Sequence, residues 1–326
     1  MLGATALGEL TARLRAGRGL AAKRDIAAVA ERLGLSSASD VPVGDDCAAI
    51  PDGDGFLLLA IEGFMNEFVA GDPWFAGWCG VMVNVSDVAA MGGRPLAVVD
   101  AIWATSEDDA APVLTGLRAA SQAFGVPIVG GHSNTRTDRG QLSVAILGRA
   151  KRLLTSFDAR SSDHLVAAID LRGRYREPFA NWEAATDAPV ARLRADLEVL
   201  PSIAESGLAV AAKDISQGGI VGTVMMLAEC SGVGATIDVA RVPKPEGVAL
   251  ERWLQTFPSY GYLLAVAPAN LAAVLARFGA RGIAAADIGQ ITADRRVVIA
   301  DGAARETICD FAREPLIGCG RAMVLV

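Results

Sequence analysis

The sequence has 326 residues, of which 52% are hydrophobic and 21% are charged, and its formal net charge is -7. This length allows two ordinary domains or one large one, and the hydrophobic content allows a sizeable buried core. The charged fraction and the negative net charge argue against a disordered tail and against a protein that binds nucleic acid through a basic surface.

The five cysteines are widely spaced and the chain contains two histidines. No Cys-x-x-Cys motif occurs, so we expect no zinc site made of these residue types. The N-terminal residues have no apolar signal segment, and no apolar run reaches membrane-spanning length. We therefore expect a cytoplasmic protein with reduced thiols and no membrane partner.

The first half of the chain alternates between predicted helices and strands. Apolar residues at helical spacing predict helices over 5–16 and 22–34. Apolar runs bounded by turn residues predict buried strands further along. In chain order, the further elements are a short strand in VGDDCAAIP, a strand at 56–63, a helix over 72–91, a strand at 96–103, a helix over 106–125, a strand at 126–131, a polar loop over 131–140 and a strand at 142–150.

The composition changes after residue 150. Residues 172–189 are polar and aromatic without clear periodicity, which is typical of a lid, a linker or a disordered loop. Helices and strands then alternate again to the end of the chain. Mixed strand and helix content predicts two domains, of the α/β and α+β classes, at 1–152 and 153–326.

Acidic residues recur at the ends of the predicted elements. Asp45 and Asp46 are adjacent, Glu62 ends a predicted strand, and Asp214 begins the segment DISQGG. Carboxylates at strand ends can converge on one spot, and such a group suits Mg²⁺, which takes oxygen ligands and shares them with nucleotide phosphates. Glycine pairs that would let backbone N–H groups approach an anion lie at 92–93, 130–131 and 218–219.

Each of these residues also has a structural interpretation. A single Asp after a strand is usually a helix cap or a turn residue. Asp45 and Asp46 would point to opposite sides of an extended chain, so at most one of them has to be a ligand. Asp87 lies inside a helical pattern, where Asp is unfavourable, and this favours a bound cation or a donor. His132 follows two glycines and fits a phosphate or metal contact about as well as a structural role.

Four motifs in this order resemble the aminoimidazole-ribonucleotide-synthetase superfamily, which includes thiamine-monophosphate kinase and selenophosphate synthetase. The motifs are VGDDCAAI, NVSDVAAMGGRP, GVPIVGGHSNT and DISQGGIVGTVMMLAECSGVGATID. The resemblance runs from about residue 22 to the end of the chain. It is strongest to uncharacterised members of the superfamily, such as the methanogenesis-marker group.

The resemblance implies an AIR-synthase-like N-terminal domain, whose strands pair into a barrel across a homodimer, and an AIR-synthase-like C-terminal α+β domain. It also implies ATP and Mg²⁺ as cofactors, with a small molecule as the phosphate acceptor. The implied metal ligands are Asp45, Asp46, Glu62, Asp87 and Asp214. The implied nucleotide-binding residues are Asn84, Asp87, Gly92, Gly131 and His132.

Three departures from the kinase pattern leave the acceptor open. Glu62 and His132 stand where thiamine-monophosphate kinase has Asp, and His132 is closer to selenophosphate synthetase. The kinase motif D-x-S-D-G becomes Asp214-Ile-Ser-Gln217-Gly. No residue is identified as a general base.

The resulting hypothesis is an ATP-dependent, Mg²⁺-requiring phosphotransferase. Phosphoryl transfer needs positioning and charge neutralisation more than covalent help, and clustered acids with Mg²⁺ supply both. One alternative is a nucleotide-binding or scaffold protein that has lost catalysis, since Glu62 and Gln217 depart from the kinase pattern. Another is a Mg²⁺-dependent phosphohydrolase on a different fold.

Overall fold

The computed structural model describes residues 2–35 and 41–320. The helices are α1 (Ala4–Arg15), α2 (Arg18–Arg32), α3 (Asn66–Gly71), α4 (Pro73–Ala90), α5 (Glu107–Phe124), α6 (Val190–Leu197), α7 (Val199–Glu205), α8 (Gly219–Ser231), α9 (Leu250–Leu254) and α10 (Leu271–Gly279). The strands are β1 (Ala48–Asp52), β2 (Gly55–Gly63), β3 (Arg94–Trp103), β4 (Ile128–Asn134), β5 (Gln141–Ala150), β6 (His164–Ile169), β7 (Arg174–Tyr175), β8 (Asn181–Glu183), β9 (Ala211–Asp214), β10 (Gly234–Asp238), β11 (Phe257–Pro258), β12 (Gly261–Val266), β13 (Ala284–Thr292), β14 (Arg296–Asp301) and β15 (Ala304–Asp310).

The chain forms two compact units, which we name after their most buried helices. The α4 unit contains residues 47–152 and 188–202, and the α8 unit contains the remaining described residues. The first segment of the α4 unit ends at residue 152, but its second segment lies at 188–202, and the residues before 47 belong to the α8 unit. The division into sequence domains 1–152 and 153–326 stays a prediction. None of the helices in the described ranges combines the length and the apolar character that a membrane span requires.

The α4 unit is a mixed sheet with helices on one face. Its strand order is β1-β2-β5-β3-β4; β3 and β4 are parallel and the other neighbours are antiparallel. Helix α4 packs against β2, β3 and β5, and against α5. The Asp72 side chain accepts a hydrogen bond from the Phe75 N–H, and Pro73 occupies the first helical turn, so the sequence specifies where α4 begins.

The other face of this sheet is apolar but exposed in the single chain. Along β2, Leu58 is buried, whereas Leu59 is 48% and Ile61 is 69% exposed. Val99 of β3 is also exposed, and Leu147 of β5 is the register partner of Leu59. In the single chain, β2 and β3 are buried on one face only, because their side chains alternate between α4 and an open apolar face.

The strand β4 is longer than predicted. It continues through His132 to Asn134, residues that we assigned to a polar loop, because it pairs in parallel with β3 as far as Trp103. Polar side chains obscured the strand in the sequence, although backbone pairing does not require apolar residues on an exposed strand.

The α8 unit has a larger sheet with the strand order β15-β14-β10-β13-β6-β12-β9. All residues of β12 are buried, and so are all residues of α8. The unbroken apolar runs in these segments explain this burial, since an element covered on all sides needs no polar face. The strand β9, which ends at Asp214, is antiparallel to β12.

The segment 172–189, predicted as a lid, a linker or a disordered loop, contains strands in the structure. The strands β7 and β8 form a small sheet with β11. Trp182 of β8 is 6% exposed, its indole N–H donates to the Asp170 carbonyl, and its ring packs edge-on against Trp253. Trp182 is thus a core residue of the α8 unit.

Candidate functional site

The carboxylate of Asp45 is held by one serine of the α8 unit. The Ser156 hydroxyl donates to Asp45 Oδ1 over 2.7 Å, and the Ser156 backbone N–H donates to Oδ2 over 2.9 Å. Ser156 is fully buried. Because both carboxylate oxygens have donors, the Asp45 side chain is fixed in one orientation.

The carboxylate of Asp46 bridges to strand β9. Its Oδ1 lies 2.5 Å from the Nζ of Lys213, and its Oδ2 accepts the backbone N–H of Asp214 over 3.0 Å. The side chains of Lys213 and Asp46 are only 5% and 4% exposed. The pair is therefore a buried ion pair with additional hydrogen bonds, the arrangement that a buried charge requires.

Asp214 completes the carboxylate group of the α8 unit. It is 3% exposed, and one of its carboxylate oxygens lies within 4.8 Å of an oxygen of Asp46. Neighbouring carboxylates of this kind offer the hard oxygen ligands that Mg²⁺ prefers. The donor set of this unit therefore fits the cation that the sequence analysis predicts.

A glycine holds the Asp45–Asp46 loop close to two cysteines. Gly44 has a φ of +118°, and a Cβ at this position would lie 2.7 Å from Cys319 Cβ and 2.9 Å from Cys230 Sγ. The Cys230 thiol also contacts the Gly44 carbonyl over 3.4 Å. Only glycine combines this backbone conformation with so close an approach, so the loop position depends on Gly44.

The segment that carries Cys319 is anchored by a buried acid of α8. The Glu229 carboxylate accepts the backbone N–H groups of Leu316, Ile317 and Gly318 over 2.9, 2.8 and 3.2 Å. Burial raises the pKa of Glu229, and the three hydrogen bonds oppose this rise because they stabilise the charged carboxylate. The helix α8 thus fixes the position of Cys319, against which Gly44 packs.

Burial and charge shift the pKa values of this cluster. Burial raises the pKa of Asp45 to about 6; repulsion by Asp46 adds to the rise, while Lys213 and Ser156 oppose it. Burial alone would lower the pKa of Lys213, but attraction by Asp46 and Asp45 outweighs it and the pKa lies above its usual value. Lys213 is therefore a cation at neutral pH.

The raised pKa of Asp45 makes a prediction about stability without metal. The native state favours protonated Asp45, so this contribution to the free energy of unfolding is fully present below the unfolded pKa of 3.8 and is lost as the pH rises through about 6. Asn imitates the protonated carboxyl. We expect the free energy of unfolding of wild type in EDTA, measured with urea, to fall by on the order of 2 kcal/mol more than that of Asp45→Asn between about pH 4 and pH 7. A pH-independent difference between the two proteins would contradict this assignment.

The α4 unit has its own acidic residues. Asp87 lies in the last turns of α4 and is 5% exposed. Glu62 of β2 and Asp100 of β3 are both register partners of Val144 on β5, so their side chains share one face of the sheet. Burial raises the pKa of Asp100. Glu62 and Asp100 thus lie on either side of Val144 on one face of the sheet.

The predicted nucleotide-binding residues of the α4 unit have distinct structural positions. The Asn84 amide donates to the carbonyls of Gly80 and Val144 over 2.8 and 3.0 Å, so it ties α4 to β5. Gly92 has a φ of +75° just after α4 ends. His132 is exposed on β4, with its ring 5.9 Å from that of Trp103.

Position 131 requires a glycine because Asp100 of β3 lies directly beside it. A Cβ at this position would lie 2.5 Å from the carbonyl oxygen of Asp100 and 2.9 Å from its Oδ2. The second glycine of the predicted motif therefore makes room for the carboxylate of Asp100.

Sequence reasoning missed Lys213, Ser156 and Asp100. A lysine and an aspartate inside apolar strand sequences, AAKD and LAVVDAIW, are the signals that could have identified two of them. Ser156 gave no such signal, because its partner Asp45 is 111 residues away in the chain.

Comparison with known proteins places the chain in a family. Residues 44–150 match the AIR synthase related protein, N-terminal domain, and residues 178–302 match the corresponding C-terminal domain. An uncharacterized protein of Synechocystis sp. is 45% identical over 96% of this chain and 98% of its own length. A thiamine-monophosphate kinase of Halobacterium salinarum is 28% identical over 79% of this chain and 91% of its own length. The chain belongs to the AIR synthase related protein family.

Solved structures establish the same fold. PurL of T. maritima in complex with ADP has a TM-score of 0.69 at 20% identity, over 80% of this chain and 44% of PurL, so this chain spans less than half of that protein. AaThiL in complex with AMPPCP and TMP has a TM-score of 0.64 at 22% identity, over 86% of this chain and 94% of its own. The predicted fold of two AIR-synthase-like domains is confirmed.

Proposed function

We propose that this protein is an ATP-dependent, Mg²⁺-requiring enzyme that transfers a phosphoryl group from ATP to a small-molecule acceptor. The observation that carries the proposal is the buried carboxylate group of the α8 unit, in which oxygens of Asp46 and Asp214 lie within 4.8 Å of each other. Its family contains a kinase, and two proteins of the same fold were solved with ADP or AMPPCP.

Each unit has its own part in the proposed reaction. Asp45, Asp46 and Asp214 of the α8 unit are the proposed ligands or charge partners of Mg²⁺, and Glu62 and Asp87 are the ligands proposed for the α4 unit. When bound, Mg²⁺ would neutralise charge on the triphosphate. Asn84, Gly92, Gly131 and His132 are the proposed nucleotide-binding residues.

For Asn84 and Gly131 this role is one of positioning. The Asn84 amide fixes α4 against β5 through the Val144 carbonyl. Gly131 leaves the Asp100 carboxylate room, so that β4 can pair closely with β3. Both residues hold their backbone segments of the α4 unit in place, and a fixed backbone favours the orientation of a bound group.

The proposal is tested by measuring ATP binding and turnover with Mg²⁺ and with EDTA. We expect saturable ATP binding that requires Mg²⁺, and turnover that rises when the correct acceptor is added. Tight binding without turnover on any acceptor would favour the inactive scaffold of the sequence analysis. Equal binding in Mg²⁺ and in EDTA would contradict the proposed role of the cation.

We also propose that the exposed apolar face of the α4 unit is covered by a second copy of the chain. Leu59, Ile61, Val99 and Leu147 form a continuous patch by their strand register. Apolar patches of this kind rarely remain exposed in a monomeric protein. A homodimer in which two such faces meet agrees with the barrel that the sequence resemblance implies.

Ile61→Glu is expected to convert this dimer to a monomer, because it places a charge in the apolar interface. Sedimentation equilibrium measures the change, with Leu114→Glu as the matched control. Leu114 is an exposed apolar residue of α5 in the same unit, at 44% exposure. A monomeric wild type, or a dimeric Ile61→Glu protein, would contradict this prediction.

A further inference from the structure

Lys213 lies in an environment that resembles a cation site. It is one of four lysines in the chain, and it is 4% exposed on strand β9, all of whose residues are buried. A lysine is almost never fully buried without a charge partner. Its position among carboxylates therefore indicates a role that its apolar strand does not explain.

Oxygen atoms surround the Lys213 ammonium on the side of the carboxylates. Its Nζ lies 2.5 Å from Asp46 Oδ1 and 3.4 Å from the Ser156 hydroxyl. The same hydroxyl donates to Asp45. A carboxylate and a hydroxyl that is itself bound to a second carboxylate are hard oxygen donors, which also suit a divalent cation.

We propose that the Lys213 ammonium takes the place of one divalent cation in this acidic cluster, so that the α8 unit holds one metal ion fewer than its carboxylates could accommodate. This inference builds on the proposed function, which assigns Asp46 and Asp214 to Mg²⁺. Lys213 is then a positioning residue: it neutralises the Oδ1 side of Asp46 and leaves Asp214 and the Oδ2 side for the catalytic cation.

Charge balance explains why the position must hold a cation. Asp45 and Asp46 are adjacent; the Asp46 side chain is 4% exposed, and Asp45 is bonded to the buried Ser156. Two adjacent carboxylates repel each other, and the burial of Asp46 removes water from it, so the pair needs a positive charge or a proton. Without the ammonium, a divalent metal ion can supply that charge at neutral pH.

The experiment counts Mn²⁺ ions bound to the protein without nucleotide, from the electron paramagnetic resonance signal of free Mn²⁺. Lys213→Met is expected to bind one more Mn²⁺ per chain than wild type, and Lys213→Arg is expected to bind the wild-type number. Adding Asp46→Asn to Lys213→Met should remove the additional ion. Lys244→Met is the matched control, since the Lys244 ammonium contacts the backbone carbonyls of Pro245 and Val248 and, within residues 2–35 and 41–320, no carboxylate.

Thermal unfolding provides a second measurement that does not depend on counting ions. In EDTA, Lys213→Met should have a lower melting temperature than wild type. Added Mn²⁺ should raise the melting temperature of Lys213→Met by more than that of wild type, because the metal binds only the folded protein. An unchanged number of Mn²⁺ ions, or a variant that stays unfolded or gains no more than wild type in Mn²⁺, would overturn the proposal. Failure of the proposed function would appear separately, as wild type that does not turn over ATP.

Discussion

Replacing Asp214 by Asn is expected to lower Mg²⁺-dependent ATP turnover by about 10²–10³-fold, the usual effect of removing one group that stabilises charge in a transition state. The variant should still fold, because the contact between Asp214 and Asp46 uses the backbone N–H of residue 214, which Asn retains. Turnover at saturating ATP over a range of Mg²⁺ concentrations measures the effect. Asp87→Asn tests the ligand proposed for the α4 unit in the same assay.

Asp238→Asn is the matched control for both substitutions. Asp238 lies in the α8 unit, where its carboxylate accepts the Ala240 backbone N–H. Asn can preserve that hydrogen bond, so turnover should stay at the wild-type value. If Asp214→Asn also keeps wild-type turnover and the same dependence on Mg²⁺, Asp214 is not a metal ligand.

Gly44→Ala is expected to destabilise the protein by about 2–4 kcal/mol, from backbone strain together with an overpacked contact. A methyl group would meet Cys319 and Cys230 at less than 3 Å, at a φ of +118°. Because Gly44 precedes Asp45 and Asp46, relief of this clash must move the carboxylates. We therefore expect weaker Mg²⁺ binding in addition to the lower free energy of unfolding.

The matched control separates strain from contact. Gly53 also has a positive φ, of +59°, but a Cβ there would meet no atom within 4 Å. Gly53→Ala should therefore lower the free energy of unfolding by about 1 kcal/mol through backbone strain alone, and Mg²⁺ binding should stay unchanged. Urea unfolding and calorimetric Mg²⁺ titration of both variants provide the comparison. Equal losses in the free energy of unfolding would show that contact with Cys230 and Cys319 does not constrain the Asp45–Asp46 loop.

Local patterns predicted much of the fold. Periodicity identified α1 and α2, and turn residues bounded β2 and β3. Local patterns did not predict that Leu59 and Ile61 are exposed in the single chain. An apolar strand has the same sequence pattern whether its second face packs against a helix or against another molecule. They also missed the end of β4, where pairing with β3 extends a strand through polar residues.

The sequence offers candidate site residues only where they lie in contiguous motifs. Acids in unfavourable surroundings and the family resemblance made Asp45, Asp46, Asp87 and Asp214 candidates, and their roles as ligands stay predictions. Lys213 was not a candidate, since its partner Asp46 is 167 residues away and only the folded sheet joins them. Pairings between such distant residues depend on strand order, which spacing along the chain does not encode.

The central claim is that buried carboxylates of this chain hold a magnesium-bound triphosphate. The most direct measurement is a crystal structure with AMPPCP and Mn²⁺, in which anomalous scattering locates the metal. We predict a Mn²⁺ peak at about 2.0–2.2 Å from carboxylate oxygens of Asp46 and Asp214 and from the phosphates. Nucleotide density with no metal peak at these aspartates would contradict the claim.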